Sequence, residues 1–201
     1  MTNKLDVYLL RHGETAYNAD GNRYCGRTDV PLTEKGVSQA QRVAEMLRGR
    51  RIDAVYASPL ERAYRTAEIV SGGQHPVIRD PRLIELDFGA WEGKTRTEFV
   101  AEAPALWDAW NADPATACAG GTGDTGLQVV ERVDDFFAEM QRRHNGGTIV
   151  VVAHNGVNRL YLAHQLGMPL RHYRRLVQEN SAITLVRFGG GEPFSLLKLN
   201  D

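Results

Sequence analysis

Residues 148–153 (TIVVVA) form a short apolar run that stops abruptly at His154. Continuous runs of this length, rich in β-branched residues, are typical of strands that are buried on both faces of a sheet. Residues 5–10 (LDVYLL) and residues 53–57 (DAVYA) are similar in length, and each is also followed by polar residues. A sheet assembled from such strands must be covered by helices on both sides, because neither face tolerates water.

Apolar residues at helical spacing occupy the segments between these runs. Thr33 is the predicted N-cap of one such helix, and Gly72 is the predicted end of another. A loop is predicted from Gly13 to Pro31. The other predicted elements are a helix over residues 127–144, a helix that follows Gly156 and ends at residues 166–167, and strands over residues 76–78, 182–188 and 194–199.

The alternation of strands and helices predicts an α/β fold, a three-layer α/β/α sandwich around a mostly parallel sheet. The last two strand candidates flank the glycines at residues 189–191, and a hairpin there would make the sheet mixed. The length of 201 residues favours a single domain over residues 1–201. Residues 89–126 break the alternation with tryptophans, prolines and a glycine-rich turn, and they are predicted to form a small, partly helical inserted lobe.

The charge balance restricts the partners that this chain can have. The formal net charge is -1, whereas a nucleic-acid-binding protein normally carries a strong basic excess. The apolar run at residues 5–10 is too short to span a membrane or to form the core of a signal peptide, so a cytoplasmic location is expected. Cys25 and Cys118 lack the spacing of a metal site, and two free thiols are predicted.

Polar side chains follow the ends of the predicted strands. Arg11 and His12 follow the first strand, and His154 follows the strand at residues 148–153. Arg62 lies about one helical turn beyond the end of the second strand. Ligands of open α/β sheets bind outside the carboxyl ends of the strands, which share one edge when the strands are parallel. The two histidines and two arginines are therefore predicted to converge on one cleft.

This set of side chains suits a phosphoryl group. Guanidinium groups bind phosphate oxygens through paired hydrogen bonds, and a neutral imidazole is a competent nucleophile when nearby cations lower its pKa. Cleavage of an ester also needs a proton for the leaving alkoxide, which a partly buried carboxyl group supplies. Glu85 is flanked by apolar residues and fits that requirement, while Asp87 and Glu92 lie close enough in sequence to be alternatives.

Several sequence motifs occur in a fixed order across most of the chain. They are residues 10–15 (LRHGET), 26–33 (GRTDVPLT), 58–63 (SPLERA), 66–68 (TAE), 85–93 (ELDFGAWEG) and 152–154 (VAH). In this order the motifs closely resemble those of the histidine phosphatase (phosphoglycerate mutase-like) superfamily, and of its phosphatase branch in particular. The resemblance implies the same α/β fold that the alternation of strands and helices predicts.

The resemblance also implies catalytic roles for the residues that match the family motifs. His12 would be the nucleophile that is transiently phosphorylated. Arg11, Arg62 and His154 would complete the phosphate pocket. Glu85 matches the family's proton donor, which later activates the water that hydrolyses phosphohistidine. No metal ion and no organic cofactor is implied.

Two asparagines are further candidates for substrate binding. Asn18, in the loop after the first motif, matches a phosphate contact of the family, but the same side chain is also suited to cap a turn. Asn155 follows the second histidine at a position where the family often has glycine. A second departure lies at residues 123–125 (GDT), where Gly-Glu-Ser is common in the family.

The resemblance implies a metal-independent phosphomonoesterase that hydrolyses a small phosphorylated metabolite through a phosphohistidine intermediate. Family members that resemble this chain act on α-ribazole 5′-phosphate, phosphoserine, phosphoglycerates or sugar phosphates, and others are broadly specific. A cofactor-dependent phosphoglycerate mutase is the alternative, although such mutases carry longer insertions after the Trp-Glu-Gly motif. A non-catalytic phosphate-binding module is a third hypothesis, for which loss of the nucleophile or of the acid is expected.

Other features have an interpretation outside the reaction itself. The run at residues 171–175 (RHYRR) is interpreted as a solvated helix face. Tyr24 is a weak candidate for substrate contact. The apolar strand at residues 194–199 is compatible with an interior position and equally with the edge of a homodimer. The aromatic residues interpreted as a small core of the inserted lobe are Trp91, Phe99, Trp107 and Trp110.

Overall fold

A six-stranded mixed sheet lies at the centre of the computed structural model, which describes residues 4–201. The strands are β1 (Lys4–Arg11), β2 (Ala54–Ala57), β3 (Val77–Arg79), β4 (Thr148–Ala153), β5 (Ile183–Gly189) and β6 (Phe194–Lys198). Their order across the sheet is β3-β2-β4-β1-β5-β6. Strands β1 to β4 run parallel to one another, whereas β5 and β6 form the antiparallel hairpin expected from the glycine-rich turn. The predicted α/β class and the mixed sheet are confirmed.

The helices are α1 (Ala16–Ala19), α2 (Glu34–Leu47), α3 (Glu61–Ser71), α4 (Arg96–Glu102), α5 (Pro104–Ala112), α6 (Gly126–Arg143) and α7 (Asn155–Gln165). Thr33 caps α2 and Gly72 ends α3, both as predicted. The prediction of an uninterrupted loop over residues 13–31 is wrong, because Thr15 and Asn18 cap each other's backbone and start α1. Within residues 4–201, no helix combines the length and the apolar content needed to cross a bilayer.

Side chains of the sheet alternate between two buried faces. Leu9 and Val151 pack on one face with α6 and α7, in a cluster that includes Phe137. Leu10 and Val152 point to the opposite face and pack with α2 and α3. Helices therefore cover both faces of the sheet, which confirms the predicted three-layer sandwich.

The parallel register places the ends of three strands side by side. Arg11 at the end of β1 is paired with Ala153 of β4, and Ala57 of β2 is paired with Val152. Just beyond β1, the N–H of His12 donates to the carbonyl oxygen of Ala153 at 3.1 Å. The residues that follow β1, β2 and β4 therefore start side by side at the carboxyl ends of these strands.

Residues 89–126 carry α4 and α5 and contribute to the same core as α6 and α7. Trp91, Phe99 and Trp110 are at most 1% exposed. The rings of Trp91 and Phe99 are stacked, with their centroids 4.7 Å apart. This burial supports the interpretation of these aromatic residues as packing residues. That residues 1–201 form a single domain with a distinct lobe at residues 89–126 stays a prediction.

A close backbone contact fixes the segment that follows His12. Gly36, in the first turn of α2, lies against the backbone of Glu14, and a Cβ added at Gly36 would be 2.2 Å from the Glu14 carbonyl oxygen. The N–H of Gly13 also donates to Oγ1 of Thr66 in α3, at 3.0 Å. Helices α2 and α3 thus hold the backbone next to His12 in place.

Gly36→Ala is expected to lower the free energy of unfolding by about 1–3 kcal/mol, because the added methyl group collides with backbone atoms. Alanine normally stabilises a helix interior by about 1 kcal/mol relative to glycine, so a net loss identifies the collision. Urea unfolding followed by circular dichroism measures the difference. Ser38→Ala, on the exposed side of α2, is the control, with an expected change within about 0.5 kcal/mol. A Gly36→Ala variant as stable as the wild type would contradict the prediction.

Candidate active site

A cleft at the carboxyl end of β1 collects most of the predicted site residues. Arg11, His12, Asn18, Glu85 and Asn155 line this cleft, which has a volume of about 90 Å³. The structure therefore brings together side chains that are widely separated in sequence. The other lining residues are Asn22, Arg23, Tyr24, Cys25, Phe88, Arg159 and Tyr173.

Arg62 and His154, the remaining predicted site residues, are fully buried next to this cleft. The ring of His154 meets the ring of His12 edge to face, with the centroids 5.2 Å apart. Burial, followed by the positive charge of Arg62, lowers the pKa of both histidines. All of the residues predicted for the site are thus close to one another.

The hydrogen bonding of His12 determines which of its ring nitrogens is free. Burial of the ring, followed by the charges of Arg62 and Arg11, holds the pKa of His12 well below its ordinary value of 6.5, so the imidazole is neutral. Nδ1 lies 2.7 Å from the carbonyl oxygen of Gly13. A carbonyl oxygen only accepts hydrogen bonds, so Nδ1 carries the hydrogen and Nε2 carries the lone pair. A neutral ring with a free lone pair is the form that a nucleophile needs.

Ser58, at the end of β2, orients His154. The N–H of Leu60 donates to Ser58 Oγ at 3.4 Å, and this oxygen lies 2.7 Å from His154 Nε2. Burial, and then the charges of Arg62 and His12, hold the pKa of His154 well below its ordinary value, so this ring is also neutral. This contact orients the ring and leaves Nδ1 without a partner among the described residues. Ser58 was not among the residues predicted for the site, although its place after a predicted strand is a signal.

The Arg11 guanidinium is buried at the edge of the cleft. One terminal nitrogen donates to the carbonyl oxygen of Gln178 at 3.0 Å. Burial and the positive charge of Arg159 lower the pKa of Arg11 to about 10, which leaves the group charged at neutral pH. Its Nε atom has no partner among residues 4–201, so a donor remains for an anion.

Arg62, in the first turn of α3, binds the loop that precedes α2. Its terminal nitrogens donate to the carbonyl oxygens of Cys25 at 3.1 Å, Gly26 at 2.7 Å and Thr28 at 2.8 Å. Its Nε atom is buried and has no partner within the described part of the chain. Arg62 therefore holds this loop and places a positive charge beside both histidines, although it is not one of the residues that line the cleft.

The carboxyl group of Glu85 is fixed at the N-terminus of α7. Its side chain is buried, and Oε1 accepts the N–H groups of Leu86 at 2.9 Å and Val157 at 3.0 Å. Oε2 accepts the N–H of Gly156 at 3.1 Å. These contacts hold the carboxyl group in one orientation, next to the helix that begins at Asn155.

Asp87 and Glu92, the alternative acids, stabilise the surrounding loops. Glu92 accepts the N–H groups of Gly26 and Thr28, and Asp87 closes a turn within its own loop. Neither of the two lines the cleft. Of these three carboxylates, Glu85 is therefore the one placed to reach a ligand.

Asn18 caps a turn and also lies in the cleft, while its contact with phosphate stays a prediction. Its Oδ1 atom accepts the N–H of Thr15 at 3.1 Å and so caps α1, and the same atom accepts a hydrogen bond from Asn180 Nδ2 at 3.1 Å. The side chain also lines the cleft, so a turn cap and a phosphate contact are compatible. Asn155 lines the cleft as well, at the first position of α7.

Buried polar atoms without a protein partner concentrate at this site. Within residues 4–201 they include Arg11 Nε, Arg62 Nε, His154 Nδ1 and Asn155 Oδ1. A buried donor or acceptor that is left unpaired costs about 1–3 kcal/mol. A cluster of such atoms indicates a site that binds a polar ligand with several oxygens.

Several side chains of the cleft were not predicted from the sequence, and Arg159 and Tyr173 are the most informative. Arg159 lies four residues after Asn155 on α7, a spacing that places both on one helix face and is a readable signal. Tyr173 belongs to residues 171–175, for which a solvated helix face was predicted. That prediction is wrong for Tyr173, because its ring is 2% exposed and its hydroxyl accepts a hydrogen bond from Trp110 Nε1 at 3.2 Å.

No metal-binding group accompanies these side chains in the part of the chain that the structure describes. There, no three or more His, Cys, Asp or Glu side chains are arranged to hold a metal ion. The positive charge available to a phosphoryl group in the described residues comes from arginines such as Arg11 and Arg62. A metal-independent reaction stays a prediction and is tested below.

Residues 7–201 match the family model of the histidine phosphatase superfamily (branch 1). Because this match covers nearly the whole chain, the chain belongs to the histidine phosphatase superfamily. The family assignment made from the sequence motifs is confirmed.

Two curated relatives are named as phosphatases. The adenosylcobalamin/α-ribazole phosphatase of Escherichia coli is 38% identical over an alignment of 173 residues that covers 84% of this chain and 84% of the relative. Phosphoserine phosphatase 1 of Hydrogenobacter thermophilus is 34% identical over 181 residues, which are 90% of this chain and 85% of the relative. Among solved structures, Bacillus stearothermophilus YhfR has a TM-score of 0.89 at 34% identity and covers 98% of this chain and 97% of its own. The predicted enzyme class, a phosphomonoester hydrolase, is confirmed at this level.

His12 and His154 are expected to stay neutral at pH values where an ordinary histidine is charged. Because the pKa of each ring in the folded protein lies below 6.5, the unfolded chain binds protons that the folded chain does not. The free energy of unfolding must therefore fall as the pH drops below about 6.5, by up to roughly 1.4 kcal/mol per pH unit for each histidine. Urea unfolding at about pH 7.5 and about pH 5.5 measures this change, in a range where most carboxylates are ionised.

Nuclear magnetic resonance of the imidazole protons tests the same prediction residue by residue. The variants His12→Gln and His154→Gln assign the two signals, and each variant should also reduce the dependence of the unfolding free energy on pH. A titration midpoint near the ordinary histidine value for either ring would contradict the prediction.

Proposed function

We propose that this chain hydrolyses a small phosphomonoester by transferring the phosphoryl group first to Nε2 of His12 and then to water. The observation that carries the proposal is a neutral imidazole beside three buried nitrogen atoms that have no partner within residues 4–201, Arg11 Nε, Arg62 Nε and His154 Nδ1. A phosphoryl group has three non-bridging oxygens, which accept hydrogen bonds from the guanidinium N–H groups. The phosphohistidine mechanism is general to the superfamily to which the chain belongs.

The two arginines supply the charge that the transition state needs. Negative charge develops on the transferring group, and fixed cations in a site shielded from water stabilise it more strongly than the same cations in water do. Arg11 lines the cleft and Arg62 lies beside both histidines. Asn18 and Asn155 are the proposed additional contacts to the substrate, because both side chains line the cleft.

In the first step, Nε2 of His12 forms a bond to phosphorus as the bond from phosphorus to the ester oxygen breaks. The leaving oxygen takes a proton from the carboxyl group of Glu85, and an alcohol departs. In the second step, the Glu85 carboxylate takes a proton from water, and the water oxygen attacks phosphorus. The bond from phosphorus to nitrogen breaks, inorganic phosphate leaves, and Glu85 is protonated again.

The proposed substrate is a small phosphorylated metabolite. The names of the two curated relatives point to α-ribazole phosphate and to phosphoserine as examples of such compounds. A cytoplasmic location, the absence of nucleic-acid and membrane partners, and a homodimer that uses the strand at residues 194–199 stay predictions.

His12→Ala is expected to lower the rate of phosphate release by about a thousandfold or more, because the phosphoryl acceptor is removed. Release from a panel of phosphomonoesters, measured with and without EDTA, checks this. The wild-type rate should be the same in both conditions, since arginines neutralise the phosphoryl group. His164→Ala changes an exposed histidine of α7 and is the matched control, with an activity close to wild type.

Three other results of this experiment would change the assignment. A rate that EDTA abolishes and a metal ion restores would overturn the metal-independent mechanism. Interconversion of 2- and 3-phosphoglycerate without phosphate release would identify the mutase alternative. Binding of phosphate without any turnover would identify a non-catalytic module.

Glu85→Gln is expected to slow hydrolysis of an alkyl phosphate by about 10²–10⁴-fold, because the leaving alkoxide is no longer protonated. Formation of the phosphoenzyme from p-nitrophenyl phosphate, whose leaving group needs no proton, should be much less affected. Rapid-quench measurement of the first turnover with both esters checks the difference.

Asp87→Asn and Glu92→Gln are the matched controls, because both carboxylates are near Glu85 in sequence and outside the cleft. If one of these controls shows the selective loss with the alkyl phosphate and Glu85→Gln does not, the proton donor has been misassigned.

A further inference from the structure

Arg159 of α7 lines the active-site cleft and is half-buried. Its Nε atom donates to the carbonyl oxygen of Asn155, one helical turn earlier, at 3.1 Å. Within residues 4–201, its two terminal nitrogens have no hydrogen-bond partner and no carboxylate lies within ion-pair distance of them. These nitrogens are therefore available to a ligand.

Arg23 lines the same cleft and provides the contrast. Its guanidinium group lies 2.6 Å from a carboxylate oxygen of Asp20 and 2.9 Å from one of Glu98, so two acidic side chains neutralise it. Within the described residues Arg159 forms no direct ion pair, and the negative charge of Glu85, in the same cleft, acts on it only from beyond ion-pair distance. A partly buried cation without a counter-ion is unfavourable, and an anion that binds to it removes this penalty.

The positive charge of Arg159 adds to that of the phosphate pocket. Both side chains line the same cleft, and the charge of Arg159 adds to burial in lowering the pKa of Arg11. The Tyr173 ring supports Arg159, whose guanidinium carbon lies 5.3 Å from the ring centroid. Arg174 contacts the same ring at 4.6 Å. The positive region consequently extends from Arg11 beyond the phosphate pocket.

We propose that Arg159 forms a second anion subsite that binds a carboxylate of the substrate. The substrate class is then the phosphate esters of small hydroxy or amino acids. This inference rests on the function proposed above, in which the phosphoryl group lies next to His12 and Arg11. Because Asn155 occupies Nε, the two terminal nitrogens form the free edge of the guanidinium group, and this edge matches the two oxygens of a carboxylate. Because Arg159 and Arg11 line the same cleft, a short connection between the phosphoryl and carboxyl groups is expected.

Two probes that differ by one carboxylate test this subsite, O-phosphoserine and O-phosphoethanolamine. The measured quantity is the ratio of kcat/KM for the first ester to kcat/KM for the second. The wild-type ratio is expected to be roughly tenfold to a hundredfold, the range that a hydrogen-bonded pair of charged groups supports.

Arg159→Gln is expected to abolish this preference, mainly by raising KM for O-phosphoserine. Arg159→Lys keeps the charge but not the paired donors, so it should retain part of the preference. Arg171→Gln changes an exposed arginine outside the cleft and should keep the wild-type ratio. A folding defect lowers the activity on both esters together, so the ratio separates it from loss of the subsite.

An unchanged ratio in Arg159→Gln, or a wild-type enzyme that does not prefer O-phosphoserine, would overturn the subsite. Hydrolysis of p-nitrophenyl phosphate by the wild type, lost in His12→Ala, establishes the phosphatase independently of Arg159. If the wild type hydrolyses none of the three esters, the proposed function fails, and the substrate class fails with it.

Discussion

Parallel pairing of β4 with β1 on one side and with β2 on the other is the constraint on which the site depends. Through this pairing, His12 and His154 lie with their ring centroids 5.2 Å apart although they are distant in sequence. Burial on both faces stabilises β1, β2 and β4, since their side chains point alternately into two apolar clusters. His12 and His154 thus directly follow strands that are paired in the sheet, and this pairing sets their relative position.

A second constraint is electrostatic and opposes stability. Two buried arginines, Arg11 and Arg62, lie beside two buried histidines, and their charges help to keep both rings neutral. Cations held in this way are unfavourable while no anion is bound. The large core beneath the cleft offsets that cost. In the reaction proposed above, a bound phosphoryl group removes much of it, so the groups that lower stability are the ones that would bind the substrate.

Local sequence patterns predicted much of the fold and the position of the site. Buried strands and the polar residues that follow them are recognised within a few residues, so the placement of His12 and His154 at one sheet edge follows from the sequence alone. The features that escaped prediction depend on distant contacts. Tyr173 is buried because Trp110, 63 positions away, donates to its hydroxyl. Arg62 donates to backbone carbonyl oxygens of a loop. Every residue has such an oxygen, so no residue type in the sequence indicates these contacts. The catalytic roles of the site residues stay predictions.

Helix α7 contributes to the cleft in two chemically different ways. The backbone N–H groups of Gly156 and Val157, at its N-terminus, donate to the carboxyl group of Glu85. The helix thus contributes only backbone atoms to these contacts. One turn later, the side chain of Arg159 lines the same cleft. In the function proposed above, a substitution at position 159 changes which substrates the cleft accepts and leaves the backbone contacts of Glu85 in place. One helix thus carries two elements that respond differently to mutation, a pair of backbone contacts that keep their N–H donors when a side chain is replaced and a guanidinium group that a single substitution removes.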